Sequence, residues 1–220
     1  LAGIILNTRG AADAVGATPM DRPEWCALNP VDDKVYFTLT NNTKREEANA
    51  ANPRVDNPYG HIIRWDEKAD MTGFDWEIFV YGSNDSAEAD VNRSGLTAMN
   101  EFASPDGLGF DSRGIMWIQT DNGSDVADDT NDQILAVVPS TVVDTEGNQT
   151  VITADNQEML KRFFVGPNGC EVTGITFSPD NTAMFVNIQH PGNWPVSETD
   201  ATEVTPEGTT LRPRASTVVI

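Results

Sequence analysis

Three acidic residues each stand at the head of an apolar run. Glu24 opens Glu24-Trp25-Cys26-Ala27-Leu28-Asn29-Pro30, Asp106 opens Asp106-Gly107-Leu108-Gly109-Phe110-Asp111, and Glu171 opens Glu171-Val172-Thr173-Gly174-Ile175-Thr176-Phe177. Each run leads through an Asn/Asp/Ser turn into a second apolar run: Val35 to Asn41, Ile115 to Asp121 and Met184 to His190. Carboxylates delivered from separate elements to one place suit a hard cation such as calcium, and they can also share a transition metal. Arg22 lies two positions before Glu24, across Pro23, whose ring stiffens the backbone. A guanidinium beside metal-bound carboxylates is an arrangement that clamps a phosphoryl group through paired N–H bonds. The plainer alternatives are a salt bridge from Arg22 to Glu24 or Asp21, and acidic residues that merely solvate the mouth of a channel.

The elements that must position these groups are strands. Val35 to Thr40, Ile62 to Trp65, Trp76 to Val80, Ile115 to Ile118, Ile134 to Val138, Arg162 to Val165 and Met184 to Ile188 are rich in β-branched and aromatic residues, with turn residues between them. The class is all-β. An acid, an apolar strand, a turn and a second strand ending in polar groups make up the inner hairpin of a β-propeller blade, whose first strand lines the central channel. The three units start much farther apart than the ~40–45 residues of a simple blade, so long inter-strand loops are expected. Three polar stretches, 43–57, 84–98 and 121–132, read as such insertions, and helical periodicity is confined to Glu88 to Met99. In the third unit the acid comes two positions earlier, and the period of two along a strand keeps it on the same face. Leu1 to Leu6 and Ser216 to Ile220 read as strands interrupted at the chain ends.

The chain has 220 residues, 39% of them hydrophobic, which suits one domain or part of a larger one. Against 14 Lys+Arg stand 34 Asp+Glu, for a net charge of −20, a field that repels nucleic acid and anionic membranes. A phosphorylated substrate stays compatible, because bound cations invert the local potential. No apolar run approaches the ~20 residues of a membrane span. Cys26 and Cys170 read as small buried hydrophobes, with a single disulfide as the alternative, and neither belongs to a CxxC pair. His190 ends a strand where a site could lie, and Asp121 begins an acidic loop running on to Asp129; both are further site candidates. That loop has the composition of a calcium loop without the EF-hand glycine and glutamate, and reads better as a solvated loop. His61, after Pro58-Tyr59-Gly60, reads as structural. G-x-S-x-G, H-E-x-x-H and a Gly-rich phosphate cradle are missing from the sequence, which argues against a serine hydrolase or a zincin.

Several segments, in order along nearly the whole chain, resemble the C-terminal part of PhoX-type alkaline phosphatases. They are Asn7-Thr8-Arg9, Ala11 to Trp25, Leu39 to Asn42, Asn57 to Trp65, Ser104 to Leu108, Trp117 to Asp121, Gly169 to Gly174 and Phe185 to Gly192. The resemblance implies roughly the C-terminal half of a six-bladed propeller over residues 1–220, with calcium and iron in the channel and a secreted or periplasmic location. It implies that Glu24 is a metal ligand shared with iron, that Asp106 and Glu171 hold calcium or iron, and that Arg22 binds the substrate phosphate. The family's earlier blades, with more carboxylates and a cysteine ligand to iron, have no counterpart among these residues. Another chain, a second copy or an N-terminal segment is therefore expected to complete the ring, and an isolated piece is expected to be inactive. The expected function is hydrolysis of phosphate monoesters. The alternatives are a non-catalytic propeller platform locked by calcium, and a propeller hydrolase of diesters or lactones.

Overall fold

The computed structural model describes residues 1–122, 130–191, 203–204, 210–211 and 215–220. Two short helices, α1 (Ala2–Leu6) and α2 (Thr8–Ala14), precede a series of antiparallel sheets. The first sheet runs in chain order through β1 (Pro23–Leu28), β2 (Val35–Leu39), β3 (His61–Glu67) and β4 (Phe74–Tyr81). The second repeats the pattern with β5 (Pro105–Phe110), β6 (Met116–Thr120), β7 (Gln133–Val137) and β8 (Lys161–Val165). The third joins β9 (Glu171–Phe177) to β10 (Met184–Gln189), with β13 (Ser216–Val219) beyond. Between them, β11 (Glu203–Val204) and β12 (Thr210–Leu211) form a small hairpin. The all-β expectation holds, and the predicted strands fall within one or two residues of those observed.

In each of the three repeated hairpins a short polar side chain closes the turn. The Asn29 carboxamide oxygen accepts from the Val31 amide at 3.1 Å, Asp111 Oδ1 accepts from Arg113 and Ile115 at 3.0 Å each, and Ser178 Oγ accepts from Ala183 at 3.0 Å. Such local bonds fix the turn and so the register of the strands it joins. The first strands of the sheets lie side by side, β1 against β5 and β5 against β9. The middle sheet is buried on both faces. On β6, Met116 and Ile118 pack towards the first sheet with Tyr36, Ile62 and Phe79, whereas Trp117 between them packs towards Val172, Val186 and Ile188 of the third. That alternation is the two-residue period of a strand, which is why Met116, Trp117 and Ile118 form an unbroken apolar run.

Two expectations fail. Leu1 to Leu6 is helical instead of extended: among the described residues no strand pairs with it, and its amides are satisfied locally, Ile5 to Leu1 and Asn7 to Gly3. Glu88 to Met99 forms turns and no helix. There the Asn92 side chain takes both the amide and the carbonyl of Leu96, at 2.8 and 2.9 Å, and so competes with helical bonding. The 43–57 stretch is a loop, as expected, but an anchored one. Buried Asp21 accepts from Arg45 and Asn57, and the Arg54 guanidinium donates to the carbonyls of Gly60, Gly82 and Val91.

Candidate functional site

The three acidic residues share a backbone device that the sequence does not announce. Two positions before each stands a residue in the left-handed region: Arg22 at φ 47°, Ser104 at φ 52° and Gly169 at φ 69°. For Arg22 and Ser104 this conformation is costly, since both carry a Cβ. Each of these residues has its carbonyl capped from the end of the second strand. Thr40 donates its amide to Arg22, Asp121 donates its amide to Ser104, both at 3.0 Å, and the His190 ring donates to Gly169 at 3.3 Å. The chain thus reverses sharply before β1, β5 and β9, and Glu24, Asp106 and Glu171 sit at the same end of adjacent strands.

Hydrogen bonds between sheets set these ends against one another. At the first seam, Thr38 Oγ1 donates to the Asp106 carbonyl at 2.7 Å and Thr40 Oγ1 to the Pro105 carbonyl at 3.1 Å. The Thr38 hydroxyl is available because β1 slips register between Pro23 and Cys26, where the Trp25 amide donates to that hydroxyl at 2.9 Å. At the second seam, buried Gln119 accepts from the Ile175 amide at 3.2 Å, beside a similar slip in β9. Gly174 makes the slip possible: it lies at φ 65°, and a Cβ there would stand 2.2 Å from Asn187 Nδ2.

The electrostatics follow from this convergence. Burial first, then the charges of Glu24, Asp121 and Glu171, push the Asp106 carboxyl up to about 7, while Arg22 pulls it the other way. Burial and Asp121 raise Glu171 as well, against the opposing influence of His190. Ligand atoms of Asp121, Glu171 and His190 lie within 4.8 Å of one another. His190 donates Nδ1–H to the Gly169 carbonyl, which turns its Nε2 towards Glu171 Oε2, 3.6 Å away. Gln189 donates to the same Glu171 carboxylate. Arg22 stands at the edge of this cluster. Its Nη2 is 3.5 Å from Glu24 Oε1, and with 51% of its side chain exposed the guanidinium is open to an incoming anion.

All six expected site residues, Arg22, Glu24, Asp106, Asp121, Glu171 and His190, therefore meet in one place. The alternative salt bridge from Arg22 to Glu24 is present, whereas Asp21 belongs to Arg45. Sequence reasoning missed Asn41, which accepts from Arg22 Nη1 at 3.2 Å, and Ser104, to which Asn41 donates at 3.0 Å. Both lie within the segments that carry the family resemblance, Leu39 to Asn42 and Ser104 to Leu108, and Ser104-Pro105-Asp106 also parallels Arg22-Pro23-Glu24. Cys26 is exposed, contrary to expectation, on a strand whose residues from Pro23 to Cys26 are all exposed; Cys170 is buried, and the two are not bridged. His61 is buried and structural, its ring 2.7 Å from the Ala51 carbonyl. Most of the acidic loop after Asn122 lies outside the described residues.

An exposed arginine thus stands beside carboxylates gathered from three sheets. The family described as alkaline phosphatase PhoX matches residues 2–192, and this chain belongs to that family. Among solved structures, Pseudomonas fluorescens PhoX in complex with vanadate, a transition-state analogue, is 42% identical with a TM-score of 0.78. The match covers 98% of this chain and 36% of that one, so the chain spans about a third of the length of that relative. A gluconolactonase from Xanthomonas campestris is 13% identical over 77% of this chain and 35% of its own, with a TM-score of 0.38, too low to support any argument. No curated protein matches.

Proposed function

We propose that this chain carries the phosphate-clamping side, and part of the metal-holding side, of an alkaline phosphatase that hydrolyses phosphate monoesters. In this reading its three sheets are blades of a six-bladed propeller, residues 1–220 form the later part of one propeller domain, and polypeptide beyond them completes the ring. The observation that carries the reading is the exposed Arg22 guanidinium beside a carboxylate cluster in which burial, Glu24, Asp121 and Glu171 raise the proton affinity of Asp106. Vanadate bound by the 42% identical relative supports it from outside the chain.

The donor set fits cations. Asp106, raised to about 7 by burial and its acidic neighbours, would be relieved by a positive ion, and hard carboxylate oxygens suit calcium. The nitrogen of His190 and a shared carboxylate would also admit iron. Glu24, Asp106 and Glu171, with Asp121 and His190 beside them, would hold these ions, which when bound would neutralise phosphate charge and polarise its oxygens. The chain's own part is then definite. Arg22 binds two phosphate oxygens and stabilises the charge that spreads over them as the ester bond breaks. Glu24 keeps the guanidinium turned towards the cluster, and the His190–Gly169 bond holds the imidazole in the tautomer that a ligand needs. Among the described residues no helix is long and apolar enough to cross a membrane. The family and the acidic surface favour a secreted or periplasmic enzyme that does not act on nucleic acid.

The test is Arg22→Ala in the whole polypeptide. Loss of about 100-fold or more in kcat/KM for a phosphate monoester, with calcium and iron content unchanged, is the expected result. Unchanged kinetics would refute the clamp. A protein with calcium but no iron would point instead to a calcium-locked platform, and preferential cleavage of diesters or lactones would redirect the substrate class.

A further inference from the structure

We infer that Asn41 is the positioning residue of the Arg22 clamp, and that Ser104, on the neighbouring sheet, fixes the direction in which Asn41 acts. The inference rests on the reading of Arg22 as the phosphate-binding group. Half of the Arg22 side chain is exposed, so packing alone does not aim it. Two contacts do. Glu24 supplies an opposite charge at 3.5 Å, which left to itself would draw the guanidinium down onto the carboxylate. Asn41 Oδ1, 3.2 Å from Nη1, holds the other side without adding a charge. A neutral acceptor here keeps the guanidinium oriented but leaves its charge for the ligand, whereas a second carboxylate would compete with phosphate for the same N–H groups.

The amide can serve only if its oxygen faces Arg22, and the structure enforces that. Asn41 Nδ2 donates to Ser104 Oγ at 3.0 Å, and the Ser104 hydroxyl spends its own proton on the Pro58 carbonyl at 3.4 Å. Ser104 is fully buried and held at φ 52°, with its carbonyl capped by Asp121, so it is a rigid acceptor. With Oγ waiting for a donor, turning the amide over would bring an N–H against Arg22 and an oxygen against a hydroxyl oxygen. The chain Pro58–Ser104–Asn41–Arg22 therefore ties the aim of the clamp to the same segment that carries Asp106. Arginine and metal-site carboxylate come from different sheets, and this link fixes one relative to the other.

The experiment uses the whole polypeptide with its metals and measures KM, kcat and the competitive inhibition constant for inorganic phosphate. Asn41→Ala is expected to raise both KM and the phosphate constant about tenfold, with melting temperature and metal content unchanged. Asn41→Asp should weaken phosphate binding further, and it carries the same test if the alanine variant does not fold. Ser104→Ala should give a smaller loss in the same direction. The reading that distinguishes positioning from general support is a double-mutant cycle: in an Arg22→Ala background, Asn41→Ala should change nothing more. An Asn41→Ala effect that persists undiminished in that background would overturn the inference. So would an unchanged phosphate constant in Asn41→Ala while Arg22→Ala raises it, and that result would leave the clamp standing. An unchanged constant in Arg22→Ala would instead remove the clamp, and the positioning role with it.

Discussion

The crowding of Asp106 has a measurable consequence for metal-free protein. Its carboxyl is raised from the ordinary aspartate value of 3.8 to about 7, first by burial and then by Glu24, Asp121 and Glu171. The folded chain therefore keeps a proton that the unfolded chain has released, and across this window stability falls as pH rises from about 4 to about 7. A shift of roughly three units would be worth about 4 kcal/mol unscreened, and solvent reaching a half-buried group reduces this to about 1–2 kcal/mol. Asp106→Asn removes the charge but keeps the shape. In chelator-treated protein it should be more stable than the parent by about 1–2 kcal/mol at pH 8, with the difference vanishing as pH falls below about 3.8. Urea titrations of both proteins at several pH values read the difference directly, with the contributions of groups distant from the cluster cancelling. Adding calcium at pH 8 should reverse the order, because only the parent keeps all its ligands and gains binding energy in the folded state. A variant less stable than the parent at pH 8 without metal would refute the idea that these carboxylates repel one another.

Two further outcomes concern the frame that holds the site. Arg54→Ala removes a buried guanidinium that satisfies three carbonyls and lies 5.2 Å from the Tyr81 ring, and should cost about 3 kcal/mol in denaturant titrations; a loss below about 1 kcal/mol would show that water replaces it without difficulty. His61, pushed down to about 4 chiefly by burial, stays neutral in the folded chain, so its contribution is present above its ordinary value and lost as pH falls from about 6.5 towards 4. His61→Gln should therefore flatten the acid side of the stability profile, and an unchanged slope there would contradict the burial argument.

The strands were legible because their β-branched and aromatic residues meet a demand for burial that composition records directly. Met116-Trp117-Ile118 could hardly be anything but a strand buried on both faces. The acids at Glu24, Asp106 and Glu171 were legible for a related reason: repeated hairpins place equivalent positions at equivalent ends. What escaped depends on contacts distant in sequence or on backbone dihedrals. The left-handed conformation of Arg22 and Ser104 runs against their residue types, and each precedes a proline, which ordinarily favours extended backbone. Asn41 looked like a polar strand end, since nothing local shows that Ser104 waits on the neighbouring sheet. Cys26 reads as buried because its apolar neighbours Trp25, Ala27 and Leu28 resemble a core strand, although most of β1 is exposed. The helix at Ala2–Leu6 was read as a strand because five apolar residues are too few to reveal a period.

The central claim is that a phosphate-binding arginine and cation-holding carboxylates of this chain form one site. It is tested most directly by assaying the whole polypeptide on p-nitrophenyl phosphate at alkaline pH, before chelation, after it and after metals are restored. The account predicts activity that disappears on chelation, returns with calcium and iron, and is competitively inhibited by vanadate. Activity indifferent to chelation, or no hydrolysis by fully metallated protein, would contradict it.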